Sequence, residues 1–121
     1  DNPEQTRILY EDILGLISGS SEVVEQEGVT THFYKAGEST IELLEPLSAE
    51  TPVGKFLEKR GPGLHHIALE VEGLDAYVRK LKEAGIMLLS DEPTLGAHDM
   101  RIIFIHPKSA GGVLIELCEH Q

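Results

Sequence analysis

Residues 113–118 read Val113-Leu114-Ile115-Glu116-Leu117-Cys118, an apolar strand with one carboxylate set into it, and Ile41-Glu42-Leu43 repeats its centre. A second match precedes each copy. Ile13-Leu14-Gly15-Leu16-Ile17-Ser18 answers Glu83-Ala84-Gly85-Ile86-Met87-Leu88-Leu89-Ser90, in both cases a helix end, a Gly, a short apolar strand and a Ser. The two matches agree in order and, save for a small insertion, in spacing. That agreement points to an internal duplication, the feature to settle before any fold is assigned.

Working outward from the C-terminal copy, residues 64–71 form a strand in this reading. Residues 73–84 form a helix with Leu74, Tyr77, Val78 and Leu81 on one face, stopped by Gly85. Residues 86–89 read as a short strand, 93–99 as a loop, 101–106 as a strand and 113–118 as the last strand. The unit is therefore βαβββ. The N-terminal copy starts at a helix capped by Asn2 and opened by Pro3, with Thr6, Leu9, Tyr10 and Ile13 on one face and Gly15 as its stop. Strands at 29–36 and 40–45 follow as a hairpin around Gly37-Glu38-Ser39. Residues 48–60 carry a short helical pattern (Val53, Phe56, Leu57), and Gly61-Pro62-Gly63 is the strongest punctuation in the chain. The expected class is α+β: paired βαβββ modules forming a curled, cup-like mixed sheet with helices outside. The boundaries fall at 1–47 for the first module, 48–63 for a linker and 64–121 for the second module, in a single domain. The opening strand of the first module is missing from the sequence, and its absence leaves a neighbour with an unpaired edge.

Composition narrows the function. The chain has 121 residues, 21 Asp and Glu against 10 Lys and Arg, and a net charge of −11. A surface this acidic excludes nucleic acid as a partner, because phosphate contacts demand cations. No apolar run approaches the roughly 20 residues that span a bilayer, so no membrane partner is expected. The single cysteine, Cys118, allows no internal disulfide and points to a reducing, intracellular compartment.

Strand parity then picks out polar residues that face away from the helices. In 64–71, Ile67, Leu69 and Val71 form the apolar face together with His65, which leaves His66 on the other. In the last strand Val113, Ile115 and Leu117 are the core face, leaving Glu116. In the hairpin strand Ile41 and Leu43 leave Glu42. An imidazole and two carboxylates on the inner face of a cup make a donor set for a borderline divalent ion, and burying them without a cation is costly. Taken singly, each is also an ordinary solvated Glu or hydrogen-bonded His. His32, His98 and His120 receive no role. The turn His106-Pro107-Lys108-Ser109-Ala110-Gly111-Gly112 offers backbone N–H groups, a hydroxyl and a cation to an anion, or is plain turn chemistry.

The stretches Ile41-Glu42-Leu43-Leu44-Glu45-Pro46, Lys55-Phe56-Leu57-Glu58-Lys59-Arg60, Gly63-Leu64-His65-His66-Ile67-Ala68, Asp91-Glu92-Pro93 and Leu95-Gly96-Ala97 resemble the vicinal-oxygen-chelate (glyoxalase) superfamily. Within it, the block from His106-Pro107-Lys108-Ser109 through Gly111-Gly112-Val113-Leu114-Ile115-Glu116-Leu117 resembles the family of methylmalonyl-CoA epimerases. The resemblance implies a homodimer with one divalent ion per chain (Co2+ first, or Mn2+, Zn2+ or Ni2+) held by His66, Glu116 and Glu42. A further His ligand of the family lies on the absent first strand. Some members carry a Glu base at the position of Thr31, so that base is absent here. The implied reaction is epimerisation of methylmalonyl-CoA by proton transfer at C2 through a stabilised enolate, with Glu116 and Glu42 as acid–base groups. Lys108, Ser109 and Arg101 would meet the phosphates or carboxylate, giving an acidic chain the local positive charge a polyanion requires. The implied compartment is the cytoplasm, or the mitochondrial matrix in a eukaryote. Two alternatives stay open: another metal-dependent glyoxalase-type lyase or dioxygenase, and a non-catalytic small-molecule-binding protein on the same fold.

Overall fold

The structure, a computed structural model, describes residues 3–121 and divides into two compact units, Asp1–Gly63 and Leu64–Gln121. The Asn2 cap lies outside the described residues. The fold is α+β, with each unit built on its own sheet.

In the first unit, helix α1 (Pro3–Arg7) runs into a π-helical segment, Ile8–Ile13. The change matters for the expected apolar face. Bonds such as Leu14 N–H to Leu9 O span five residues, so side chains drift off the 3.6-residue stripe. Tyr10 keeps its place, edge-on to Tyr34 at 5.3 Å, while Ile13 is left 71% exposed. The Tyr34 hydroxyl donates to Glu11, and burial together with that bond raises its pKa. Strands β1 (Ile17–Val24), β2 (Val29–Ala36) and β3 (Ser39–Pro46) make an antiparallel meander. The β2–β3 hairpin has the expected place and turn. β1 is longer than the short strand expected, and it bulges between Ser18 and Ser21. Gly28 closes the β1–β2 turn at φ +70, and a Cβ there would lie 2.5 Å from Thr51 Cγ2. Thr51 in turn caps α2 (Pro52–Arg60), its Oγ1 accepting from Gly54 N–H at 3.1 Å. Residues 48–63 thus hold a helix that belongs to the first unit.

In the second unit the sheet order is β4-β7-β6-β5, with β4 (Ile67–Glu70) parallel to β7 (Ile115–His120) and β6 (Met100–Ile105) antiparallel to it. Helix α3 (Leu74–Glu83) packs Leu74 and Val78 on Ile103 and Leu117, the centre of the core. The expected boundaries of β7 and β4 shift, each for a local reason. β7 starts at Ile115 because Gly111 and Gly112, both at positive φ, hold the chain in a turn up to Val113. β4 then starts at Ile67 rather than 64, since its ladder partner begins only at Ile115. Residues 86–89 make one bridge, Leu88 to Ile105, and the short β5 (Thr94–Leu95) lies inside the expected loop. Ile67 and Leu69 do point to the helix face but stay 44% and 50% exposed, because α3 covers β6 and β7 rather than the edge strand β4.

No described helix is long and apolar enough to cross a membrane. The second core rests on Leu74, which is 0% exposed. Leu74→Ala is expected to lower the unfolding free energy by about 2–5 kcal/mol, read from the midpoint of a urea transition with unchanged slope.

Candidate active site

The register of three strands builds the site. Glu116 on β7 is opposite Ala68 on β4 and Phe104 on β6, and directly paired residues project on one face. Their neighbours Leu69, Leu117 and Ile103 project on the other, towards α3. Glu116 therefore stands on the face turned away from the helix, as parity requires. His66 comes just before β4, and its ring meets Phe104 edge-to-face at 6.0 Å and 83°. Its Nε2 lies 3.1 Å from Glu116 Oε1, and the two side chains are only 11% and 15% exposed.

A ring nitrogen and a carboxylate oxygen turned on each other behind an aromatic wall suit a borderline divalent ion in donor type. These two residues fit such an ion as a pair. Among the described residues no group of three or more His, Cys, Asp or Glu is gathered as a metal-binding cluster. Glu42, in the first unit, pairs with Phe33 across β2–β3 and is half-buried. Its register puts it on the face opposite Tyr34, the residue that meets the helical segment. Thr31 lies on the same face as Glu42 and is 2% exposed.

The basic candidates separate. Lys108 is exposed at the tip of the turn Pro107–Ser109, with its N–H donated to His106 Nδ1 at 3.0 Å. Ser109 Oγ accepts from Met87 N–H at 3.0 Å, which fixes the turn against residues 86–89. Arg101 departs from the expected role. Its register beside Ile103 places it on the helix face, opposite to Glu116, where it bonds Asp75 at 2.8 Å and lies 3.5 Å from Glu119. Glu119 also accepts from Gly73 and Leu74 N–H, so Arg101 completes the N-terminal cap of α3.

Sequence reasoning misses two residues. Strand alternation assigns His65 to the helix layer, yet its Nδ1 is 3.1 Å from His66 Nδ1 with the rings at 88°. Alternation fails because 64–66 are not in the strand. Burial lowers the His65 pKa, the neighbouring His66 lowers it further, and Glu116 partly opposes both. Phe104 is visible in the sequence only as an apolar strand residue, since its place against His66 follows from the β6–β7 register.

Comparison with known proteins agrees with this architecture. The model of the Glyoxalase/Bleomycin resistance protein/Dioxygenase superfamily matches residues 1–104, and the chain belongs to that superfamily. Among its relatives is the ethylmalonyl-CoA/methylmalonyl-CoA epimerase of Cereibacter sphaeroides, 43% identical over 89% of this chain and 82% of that protein. The mitochondrial methylmalonyl-CoA epimerase of Bos taurus is 39% identical over 94% of this chain, which spans 66% of the bovine length. A single-substitution variant of the Streptomyces coelicolor methylmalonyl-CoA epimerase, solved with 2-nitronate-propionyl-CoA, is 34% identical with a TM-score of 0.92, covering 98% of this chain and 87% of that one.

The Asp75–Arg101 pair gives a pH-dependent expectation. The Arg101 hydrogen bond, then its charge, holds the Asp75 carboxyl below the usual carboxylate value. A depressed folded-state pKa adds stability above the ordinary value that is lost as pH falls through the folded one. NMR titration of the Asp75 carboxyl is expected to show that depression, and Arg101→Ala to abolish it.

Proposed function

We propose that the chain interconverts the C2 epimers of methylmalonyl-CoA, removing the C2 proton and returning one to the opposite face. The observation that carries this reading is the largely buried His66–Glu116 pair, 3.1 Å apart on the sheet face turned away from α3. It stands in a chain 43% and 39% identical to two enzymes named for that reaction. The ligand of the Streptomyces enzyme adds chemical support: a nitronate is planar at C2 with its negative charge carried on attached oxygens, much as the deprotonated substrate is planar at C2 with charge on oxygen.

The C2–H of the substrate lies between a thioester and a carboxylate, so its removal sends charge onto the thioester oxygen. A divalent ion (Co2+, Mn2+, Zn2+ or Ni2+) supplies, when bound, Lewis acidity for that charge. In this reading His66 and Glu116 would hold it. Glu42 is the corresponding candidate acid–base or ligand residue of the first unit, by its matching place in the repeat, half-buried on the face of its own sheet away from the helical segment. Glu116 takes the C2 proton, and His66 keeps its carboxylate oriented. Phe104, packed against the His66 ring, limits water around the pair. Lys108 meets the CoA phosphates from its exposed turn, countering the repulsion of a chain with net charge −11.

Deuterium exchange at C2 of methylmalonyl-CoA tests the reading directly. Glu116→Gln is expected to slow exchange by about 100-fold or more, and full exchange in that variant removes Glu116 from the mechanism. Chelation is expected to abolish exchange and added Co2+ to restore it. Less than about 0.1 equivalent of ion bound after exposure overturns the metal assignment. Lys108→Glu is expected to raise KM for the CoA thioester by about tenfold with kcat retained, an effect that shrinks in high salt. Arg101→Ala is expected to leave KM unchanged, since Arg101 serves the α3 cap.

A further inference from the structure

His65 stands outside the chemistry above, yet it is the neighbour that grips the far side of the His66 ring. The ring of His66 meets Glu116 at Nε2 at 3.1 Å, Phe104 at its edge at 6.0 Å, and His65 Nδ1 at its own Nδ1 at 3.1 Å. A contact between two Nδ1 atoms has a chemical consequence. One nitrogen must carry the proton and the other must offer its lone pair, so the tautomers of the two rings are tied together. For His66 to present a lone pair at Nε2, its proton has to sit on Nδ1, and His65 Nδ1 is then the acceptor with its own proton on Nε2. When Nε2 of His66 instead carries a proton and donates it to Glu116, His66 Nδ1 becomes the acceptor and His65 the donor. Passing between these arrangements moves one proton on each ring through solvent and leaves the total unchanged.

From this geometry we infer that His65 is a positioning residue. It sets the tautomer and plane of His66, and so decides whether Nε2 is presented as a ligand or as a donor to Glu116. The edge-on packing of the two rings, with centroids 5.3 Å apart and planes at 88°, supports the role, because it brings the two Nδ1 atoms within hydrogen-bond distance. Histidine ligands are commonly oriented through their second nitrogen by a carboxylate or carbonyl, and here a second imidazole takes that place. The inference rests on the proposed use of His66 as a ligand, but the hydrogen bond itself is measurable without any ion.

The experiment uses the full chain with His65→Leu, which removes the acceptor, and His65→Asn, whose side-chain amide can still accept or donate near the Nδ1 position. Nitrogen-15 NMR of the imidazoles is recorded on metal-free protein and on protein loaded with Zn2+, with circular dichroism as a check on folding. The loaded wild type is expected to show His66 protonated at Nδ1. His65→Leu is expected to alter the His66 ring shifts in both states and to weaken Zn2+ binding by about 10–100-fold, and His65→Asn to recover most of that loss. Unchanged His66 shifts in a folded His65→Leu protein overturn the inference whether or not an ion binds. Equal weakening in both variants overturns it as well, because the hydrogen bond is then not the cause. A wild type that takes up no ion but shows the shift change overturns the metal reading of His66 and leaves its orientation by His65 established.

Discussion

The pairing of β7 with β4 on one side and β6 on the other is the constraint on which the second unit depends. With Leu117 opposite both Leu69 and Ile103, one face of the sheet is apolar and receives α3. One residue along, Glu116 lies opposite Ala68 and Phe104, and the other face receives a carboxylate flanked by a small side chain and an aromatic one. Because the side-chain period is two, a slip of one residue would exchange these sets and bury Glu116 under α3. The free energy of burying Leu74 and Ile103 therefore also fixes the direction in which Glu116 points. Packing and chemistry are set by the same register.

Much of this was legible in the sequence because it depends on periodicity. The Ile-Glu-Leu repeats, the hairpin at Val29–Ala36 and Ser39–Pro46, and the opposition of Glu116 to Leu117 all follow from alternation in strands that alternate cleanly. β1 did not stand out, since Ile17-Ser18-Gly19-Ser20-Ser21 is poor in β-branched residues and carries a bulge. The π-helical segment was equally hidden, as nothing in Ile8–Ile13 distinguishes bonds across five residues from bonds across four. Arg101 and His65 show a further limit. Composition identifies a residue that can bind an anion or a metal, but the partner that claims it (Asp75 for Arg101, His66 for His65) comes from another element or from a break in the strand.

The two units use polar residues differently on corresponding strands. In the first unit the helix-side face of the sheet carries a cross-strand chain, with Ser21 Oγ 2.7 Å from His32 Nδ1 and His32 Nε2 2.6 Å from Glu45 Oε1. It ties β1, β2 and β3 together with Ser21 exposed and Glu45 41% exposed, so solvent shares its charge and its contribution is that of a surface ladder. His66 and Glu116 sit at less than half those exposures, where an imidazole and a carboxylate interact more strongly and where an unbalanced charge costs more. A His–Glu contact of similar length thus has a different meaning at each place. Burial, rather than the presence of the pair, sets the second apart.

Charge placement follows the same logic. The chain has few cations for its acidic side chains, and in the second unit two of them are held in structural pairs: Arg101 with Asp75, and Lys82 with Asp91 at 2.9 Å. Lys108 is presented differently. The turn that carries it is pinned by the Lys108 N–H bond to His106 and the Ser109 Oγ bond to Met87, so a flexible side chain projects from a rigid base. A polyanion approaching a net-negative surface gains most from a cation whose backbone is already ordered, because less entropy is lost when the contact forms. The Gly111-Gly112 turn that delays β7 to Ile115 thereby serves two ends at once. It closes the loop that presents Lys108, and it starts the strand in the register that turns Glu116 towards His66.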